Sequence, residues 1–266
     1  MDFKLKGKVA LVTGGSRGIG YAIARQLAEE GATVAICSRN LDASTEAAGK
    51  LSKATGGKVV GFKADMASAD DIKALVASTV SALGGLDVLV NNAATIGGTG
   101  GPDTLAQLNE PLINADFQVK MLGYLRCAKE AYPHMEAKGW GRIVNIDGMA
   151  ARMAAGVSGG MRNAAVMNAT KVLSEELGPK GITVNAVHPG ASKTEALAPR
   201  LQAQMERTGK TLEEVEADMA SGLAIRRLVT APDIANVVAF VCSEQAATLT
   251  GESISVAGGG TKAVFY

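Results

Sequence analysis

The chain has 266 residues, 47% of them hydrophobic, enough to bury the core of one large α/β domain. Lysine and arginine number 27 against 26 acidic residues, a balance that argues against a nucleic-acid or anionic-membrane partner and for a small-molecule substrate. Cys37, Cys127 and Cys242 stand far apart without CxxC spacing, so neither a disulfide framework nor a metal site is expected. No apolar stretch is long enough to span a bilayer, and Met1-Asp2-Phe3-Lys4-Leu5-Lys6 lacks the apolar core of a signal peptide, so the expectation is a soluble cytoplasmic protein.

The first expected strand, residues 9–12, runs into Thr13-Gly14-Gly15-Ser16-Arg17-Gly18-Ile19-Gly20 and then into a helical pattern over 19–30. A strand, a glycine turn and a helix in this order form a dinucleotide cradle. Glycines let the backbone approach a pyrophosphate, whose charge meets the N-terminus of the next helix. Further strands are expected at 33–37, 58–62, 86–90, 142–146, 182–187 and 253–256, and helices at 43–54, 69–83, 105–138, 160–177 and 233–242. Such alternation predicts an α/β Rossmann fold, a doubly wound seven-stranded parallel sheet in a single domain spanning 1–266. A charged amphipathic stretch at about 195–225 interrupts the alternation before the last strand and is expected to act as a lid, with a surface helix pair or an oligomer contact as the alternative.

The end of the second strand selects the cofactor. An acidic residue there would bind an adenosine 2′-hydroxyl, but Ser38 occupies the slot and Arg39 follows it. Arg39 and Arg17 offer two guanidinium forks suited to a 2′-phosphate, so NADP is favoured over NAD.

Thr13 to Gly20, Asp65 after the third strand, Asn91-Asn92-Ala93-Ala94 after the fourth, and Pro189-Gly190 through Thr194 after the sixth resemble the short-chain dehydrogenase/reductase family. The likeness extends over 181–187 and to Thr250-Gly251 and Gly258-Gly259, nearly the whole chain. It implies contacts from Gly14, Ser16, Gly18, Ile19 and Gly20 to the pyrophosphate side and from Asp65 and Met66 to the adenine side. It also implies that Asn91 and Ala93 lie at the adenosine-side ribose and that Pro189, Gly190 and Thr194 lie at the nicotinamide. A homotetramer or homodimer pairing the long fourth and fifth helices is implied as well.

Members of that family carry Asn, Ser and a Tyr-x-x-x-Lys pair, in which a nearby ammonium draws the phenol's pKa down from about 10. Here none of Tyr21, Tyr124, Tyr132 and Tyr266 has a lysine four residues on. Counting back from Gly181-Ile182 puts the Tyr slot on Gly159 and the Lys slot on Asn163; the Ser slot falls on Gly148, beside Asp147, and the Asn slot on Lys120. Lysine and asparagine have thus traded helices. Lys120 is expected to extend into the space of the missing lysine, with Asn163 supplying the amide; independent drift of a site released from its chemistry is the alternative. Asp147, Ser158, Arg162, His188, Lys120 and an ordered water are the candidates for the acid at the substrate oxygen.

Three functions stay open at this point. One is an NADP-dependent oxidoreductase acting on an apolar carbonyl or alcohol through a non-standard site. The others are a redox-silent NADP-binding sensor or supporting subunit, and non-redox chemistry with Lys120 or Asp147 as base. The substrate pocket is expected between 95–104, 149–158 and 197–222.

Overall fold

The computed structural model describes residues 2–94, 104–153 and 157–260. In chain order, β1 (Val9–Thr13) leads into α1 (Gly18–Glu29), β2 (Thr33–Ser38) into α2 (Leu41–Thr55), and β3 (Val59–Lys63) into α3 (Ala69–Leu83). β4 (Val88–Asn91) is followed by α4 (Glu110–Phe117), a π-helical turn (Gln118–Leu122) and α5 (Gly123–Glu136). Then come β5 (Gly141–Ile146), α6 (Val157–Leu177) and β6 (Ile182–Pro189). The chain closes with β7 (Ser192–Lys193), α7 (Ala198–Thr208), α8 (Leu212–Ser221), β8 (Val229–Thr230), α9 (Ala231–Val241) and β9 (Ser253–Val256).

Seven strands form one parallel sheet in the order β3-β2-β1-β4-β5-β6-β9. Near-continuous Val, Ile, Leu and Ala runs are what a strand covered on both faces requires. Alternation then divides the side chains: Ala10, Val12, Val34 and Ile36 join Ile23, Leu27, Leu51 and Val238 of α1, α2 and α9 on one face. Leu11, Ala35, Leu89 and Ile143 join Ile72, Leu75, Ala131 and Met135 of α3 and α5 on the other. Each such fully buried Leu or Ile contributes about 1.5–3 kcal/mol relative to an exposed one.

Element ends follow local chemistry more closely than hydrophobic periodicity does. α2 begins two residues before the expected start because the Asn40 side chain accepts from the Ala43 N–H, and it stops at left-handed Gly56. α9 begins at Ala231, two residues early, behind a Thr230–Asp233 capping box with a proline in its first turn. The largest correction is the single helix expected over 105–138. Leu105–Gln107 is a short 3-10 turn, and the remainder is broken by the π turn between α4 and α5.

Candidate active site

The sheet order reverses between β1 and β4, and the glycine turn opens at that crevice, where ligands of open α/β sheets bind. Two bonds from one side chain set the turn: Asn92 Nδ2 donates to the carbonyls of Thr13 at 2.9 Å and Gly14 at 3.2 Å. Thr13 Oγ1 returns the tie by accepting from the N–H groups of Asn92 at 2.9 Å and Ala93 at 3.0 Å. Gly14 has φ +65, and a Cβ there would stand 3.0 Å from Ala93 Cα; a Cβ on Gly20 would collide with Asn92 Nδ2 and the Gly14 carbonyl. Unlike α2 and α3, α1 has no side-chain cap: Arg17 at its N-cap makes no capping bond. The first-turn N–H groups are therefore available to a phosphate, and the cradle fits a dinucleotide.

Around this turn, Arg17 and Arg39 are exposed and unpaired among the described residues, while Ser16 and Ile19 are half-buried beside them. Ser38 Oγ donates to the Asn40 carbonyl at 2.7 Å and so shapes the β2–α2 turn. Asp65 Oδ1 accepts from the Ala67 N–H at 2.9 Å. Two of the expected contacts are limited to backbone. The Asn91 side chain is fully buried and donates to Asn145 Oδ1 at 2.9 Å, away from the crevice. Met66 also turns inward, its sulfur 3.8 Å from that of Cys127. Pro189, Gly190 and Thr194 are half-buried at the end of β6 and beyond. Asn92, which braces the glycine turn, was not among the expected contacts; its place beside Asn91, facing the turn across the switch point, was the available signal.

Lys120 and Asn163 meet. Lys120 Nζ donates to Asn163 Oδ1 at 2.9 Å, and the lysine is only 3% exposed. The π turn that carries Lys120 widens the helix and turns this residue inward between exposed Gln118 and half-buried Met121. Gly148 leaves room for the amide: a Cβ there would lie 2.8 Å from Asn163 Nδ2, and the Asn163 side chain would have to shift. At Gly159 a Cβ would find nothing within 4 Å among the described residues.

Asp147, one residue past β5, stands with Oδ1 3.4 Å from Lys120 Nζ and Oδ2 3.4 Å from His188 Nδ1. The imidazole also lies 3.3 Å from the Gly148 carbonyl. One turn before Lys120 on the same helical run, Asp116 pairs with Arg162 and accepts from Ser158 Oγ at 2.8 Å. Ser158 is thereby committed to Asp116. Burial dominates the electrostatics: it lowers the Lys120 pKa to about 8 against the pull of Asp147, and raises that of Asp147 to about 7 against the pull of Lys120. It also holds His188 down, to about 4, so the imidazole is neutral at pH 7.

β7 and β8 pair through Ser192–Val229 and Lys193–Thr230 and tie together the roots of the α7–α8 insertion. Leu197, Leu201, Val215 and Leu228 give the insertion a small core of its own. Beneath it lies a cavity of about 670 Å³, reached by Gly18, Tyr21 and Ala22 of α1 and by Leu201, Met205 and Leu212 of the insertion. Of the expected pocket walls, 95–103 and 154–156 lie outside the described residues. The three cysteines are buried and free, and no helix among the described residues is long and apolar enough to cross a membrane.

Comparison with known proteins agrees with this architecture. Residues 14–261 match the family model described as enoyl-(acyl carrier protein) reductase. The short-chain reductase protein NovJ of Streptomyces niveus is 36% identical over 252 residues, 94% of this chain and 93% of its own. The 3-oxoacyl-[acyl-carrier-protein] reductase FabG of Staphylococcus aureus is 36% identical over 260 residues, 95% and 97% of the two chains. Among solved structures, L-sorbose reductase from Gluconobacter frateurii, complexed with NADPH and L-sorbose, superposes with a TM-score of 0.92 at 30% identity, covering 99% of this chain and all of that one. The chain is an oxidoreductase-type α/β protein that belongs to the short-chain dehydrogenase/reductase family.

Proposed function

We propose that this protein is an NADP-dependent oxidoreductase interconverting a carbonyl and an alcohol, with Lys120 and Asn163 at the reacting end in place of the family's tyrosine and lysine. The observation that carries the reading is the buried Lys120 Nζ to Asn163 Oδ1 contact at 2.9 Å, beside the strand ends that carry Asp147 and His188. NADP, when bound, supplies or accepts the hydride. The turn from Gly14 to Gly20 would hold its pyrophosphate, and Arg17 and Arg39 its 2′-phosphate. NADPH in the superposed sorbose reductase supports that choice of coenzyme.

In the reductive direction Lys120 donates a proton from Nζ to the substrate oxygen and becomes a neutral amine; in the oxidative direction it receives that proton. Asn163 holds the ammonium through Oδ1, while its Nδ2 donates to the Gly148 carbonyl at 3.5 Å. An apolar substrate body is part of the reading from the sequence; the cavity under the insertion, lined by Leu201, Met205 and Leu212 but also by Arg25, Lys193 and Glu216, has none of Lys120, Asn163, Asp147 or His188 in its wall. Leu105 and Leu108 just before α4, Leu112 on α4 and Met161 on α6 are exposed, which supports association through these helices in a homodimer or homotetramer.

A redox-silent NADP-binding role has one observation in its favour: Gly148 and Gly159 bring no side chain to the reacting end. Reduced-nicotinamide absorbance, followed with the protein and a panel of carbonyl compounds and alcohols, separates the two. Turnover of any member supports the oxidoreductase, whereas NADPH binding with no turnover across the panel supports the silent role.

A further inference from the structure

Lys120 and Asp147 are both buried, and burying a lone charge of either sign is costly unless a partner compensates it. Their 3.4 Å separation makes each the other's counterion, and the second Asp147 oxygen faces His188 at the same distance. Neither Asp147 oxygen has a well-formed hydrogen bond among the described residues, and His188 Nε2 is also without a partner there. The carboxylate is therefore held chiefly by charge, so its protonation state and that of Lys120 depend on each other. Every packed element contributes to this balance: Asp116 on α4, Arg162 and Asn163 on α6, Tyr124 on α5, Arg152 before α6 and His188 on β6. Asp116 is paired with Arg162, while Asp147 Oδ1 stands at ion-pair distance from Lys120 Nζ.

We propose that Asp147 is a positioning residue for Lys120: it fixes the ammonium at Asn163 and forms with it a single proton-sharing pair, backed by His188. The proposal rests on the proton-donating role given to Lys120 above and adds what sets the pH range of that role. When Lys120 gives its proton to the substrate oxygen, the N–H bond breaks, the new O–H bond forms, and the amine left behind can take a proton from the Asp147 carboxyl when that group is protonated. The pair is then an ammonium and a carboxylate with no net charge until solvent returns the proton to Asp147; where Asp147 is ionised from the start, the pair is left as an amine and a carboxylate with one net negative charge.

Two measurements test the pair. In carboxyl-¹³C NMR of aspartate-labelled full-length protein, the resonance missing from an Asp147→Asn variant identifies Asp147. It is expected to titrate near neutral pH, and to move to higher pH in Lys120→Met, where the favourable cation is gone. An Asp147 resonance that titrates in the ordinary carboxylate range, unchanged by Lys120→Met, overturns the proposal. This readout needs no substrate, so it stands even if the panel above yields no turnover and the oxidoreductase reading fails. In the reductase assay, the protonated form of Lys120 is the active acid, so rate falls as pH rises through its pKa. Asp147→Asn removes the anion that supports the ammonium and should shift this alkaline limb to lower pH by about one unit or more, with Asp147→Glu restoring part of the shift. An Asp147→Asn loss of rate that is equal at every pH, with the limb in its wild-type place, assigns Asp147 a purely structural role and overturns the proposal.

Discussion

At the residue scale the decisive contact is Lys120 with Asn163. From the sequence, Lys120 and Asn163 were expected at the family's asparagine and lysine slots, by counting within 117–123 on one side and back from Gly181-Ile182 on the other. Their meeting required the length of the lysine stem, and the structure brings the two together. Asp147 was legible only as a neighbour of an empty slot, since its contact with His188 joins the ends of two strands 41 positions apart in sequence and depends on the register of β5 against β6. Lys120→Met should lower the reductase kcat by about 10²–10⁴, the usual cost of a lost general acid. It also removes the cation facing Asp147, whose pKa should rise further; near neutral pH the carboxyl is then protonated, and the stability lost in chemical denaturation should grow as pH rises and be largely recovered in the double variant Lys120→Met/Asp147→Asn, which has no group to ionise there. On the coenzyme side, Arg39→Glu should weaken NADPH binding by about 10- to 100-fold in calorimetry while leaving NADH binding much less affected, since a lost charge-assisted bond is worth roughly 1.5–3 kcal/mol.

At the scale of elements, the sequence separated strands from helices well but could not show how a helix would be broken. Nothing in Gln118–Leu122 is a helix breaker: the π turn contains neither proline nor glycine, and its reason is tertiary, the placing of Lys120 against α6 and of Gly123 against the Met66 carbonyl. The glycine turn shows the converse. Its residues announced it, yet what holds it in shape comes from β4, 78 positions away, through Asn92. Asn92→Ala removes the donor to Thr13 and Gly14 and leaves two carbonyls to find other partners. The expected result is a loss of about 1–3 kcal/mol in stability and a matching fall in NADPH affinity, read by thermal melts with and without the coenzyme. If stability falls while affinity is unchanged, the turn keeps its shape without this brace.

At the scale of the molecule, the two large cores are continuous with the sheet, whereas the α7–α8 insertion is held by the β7–β8 pairing, by the Lys193–Glu216 ion pair, whose lysine is exposed and glutamate half-buried, and by a four-residue core. Exposed ion pairs contribute at most about 1 kcal/mol, and so small a core cannot match the burial that fixes the central strands. The insertion should therefore open at a lower free energy than the sheet. A cavity lies between it and α1, and the rim of that cavity is Gly18, at the N-terminus where a pyrophosphate would sit. A ligand at that terminus that also contacts the insertion would be bound more tightly by the closed arrangement, which would shift the population towards it. Hydrogen exchange should then show α7 and α8 amides exchanging faster than those of β1, β4 and β5 in the free protein, and slowing markedly when NADPH is added while the strands change little. Equal protection of insertion and sheet in the free protein would mean that α7 and α8 are a fixed wall of the site and that substrate must enter elsewhere.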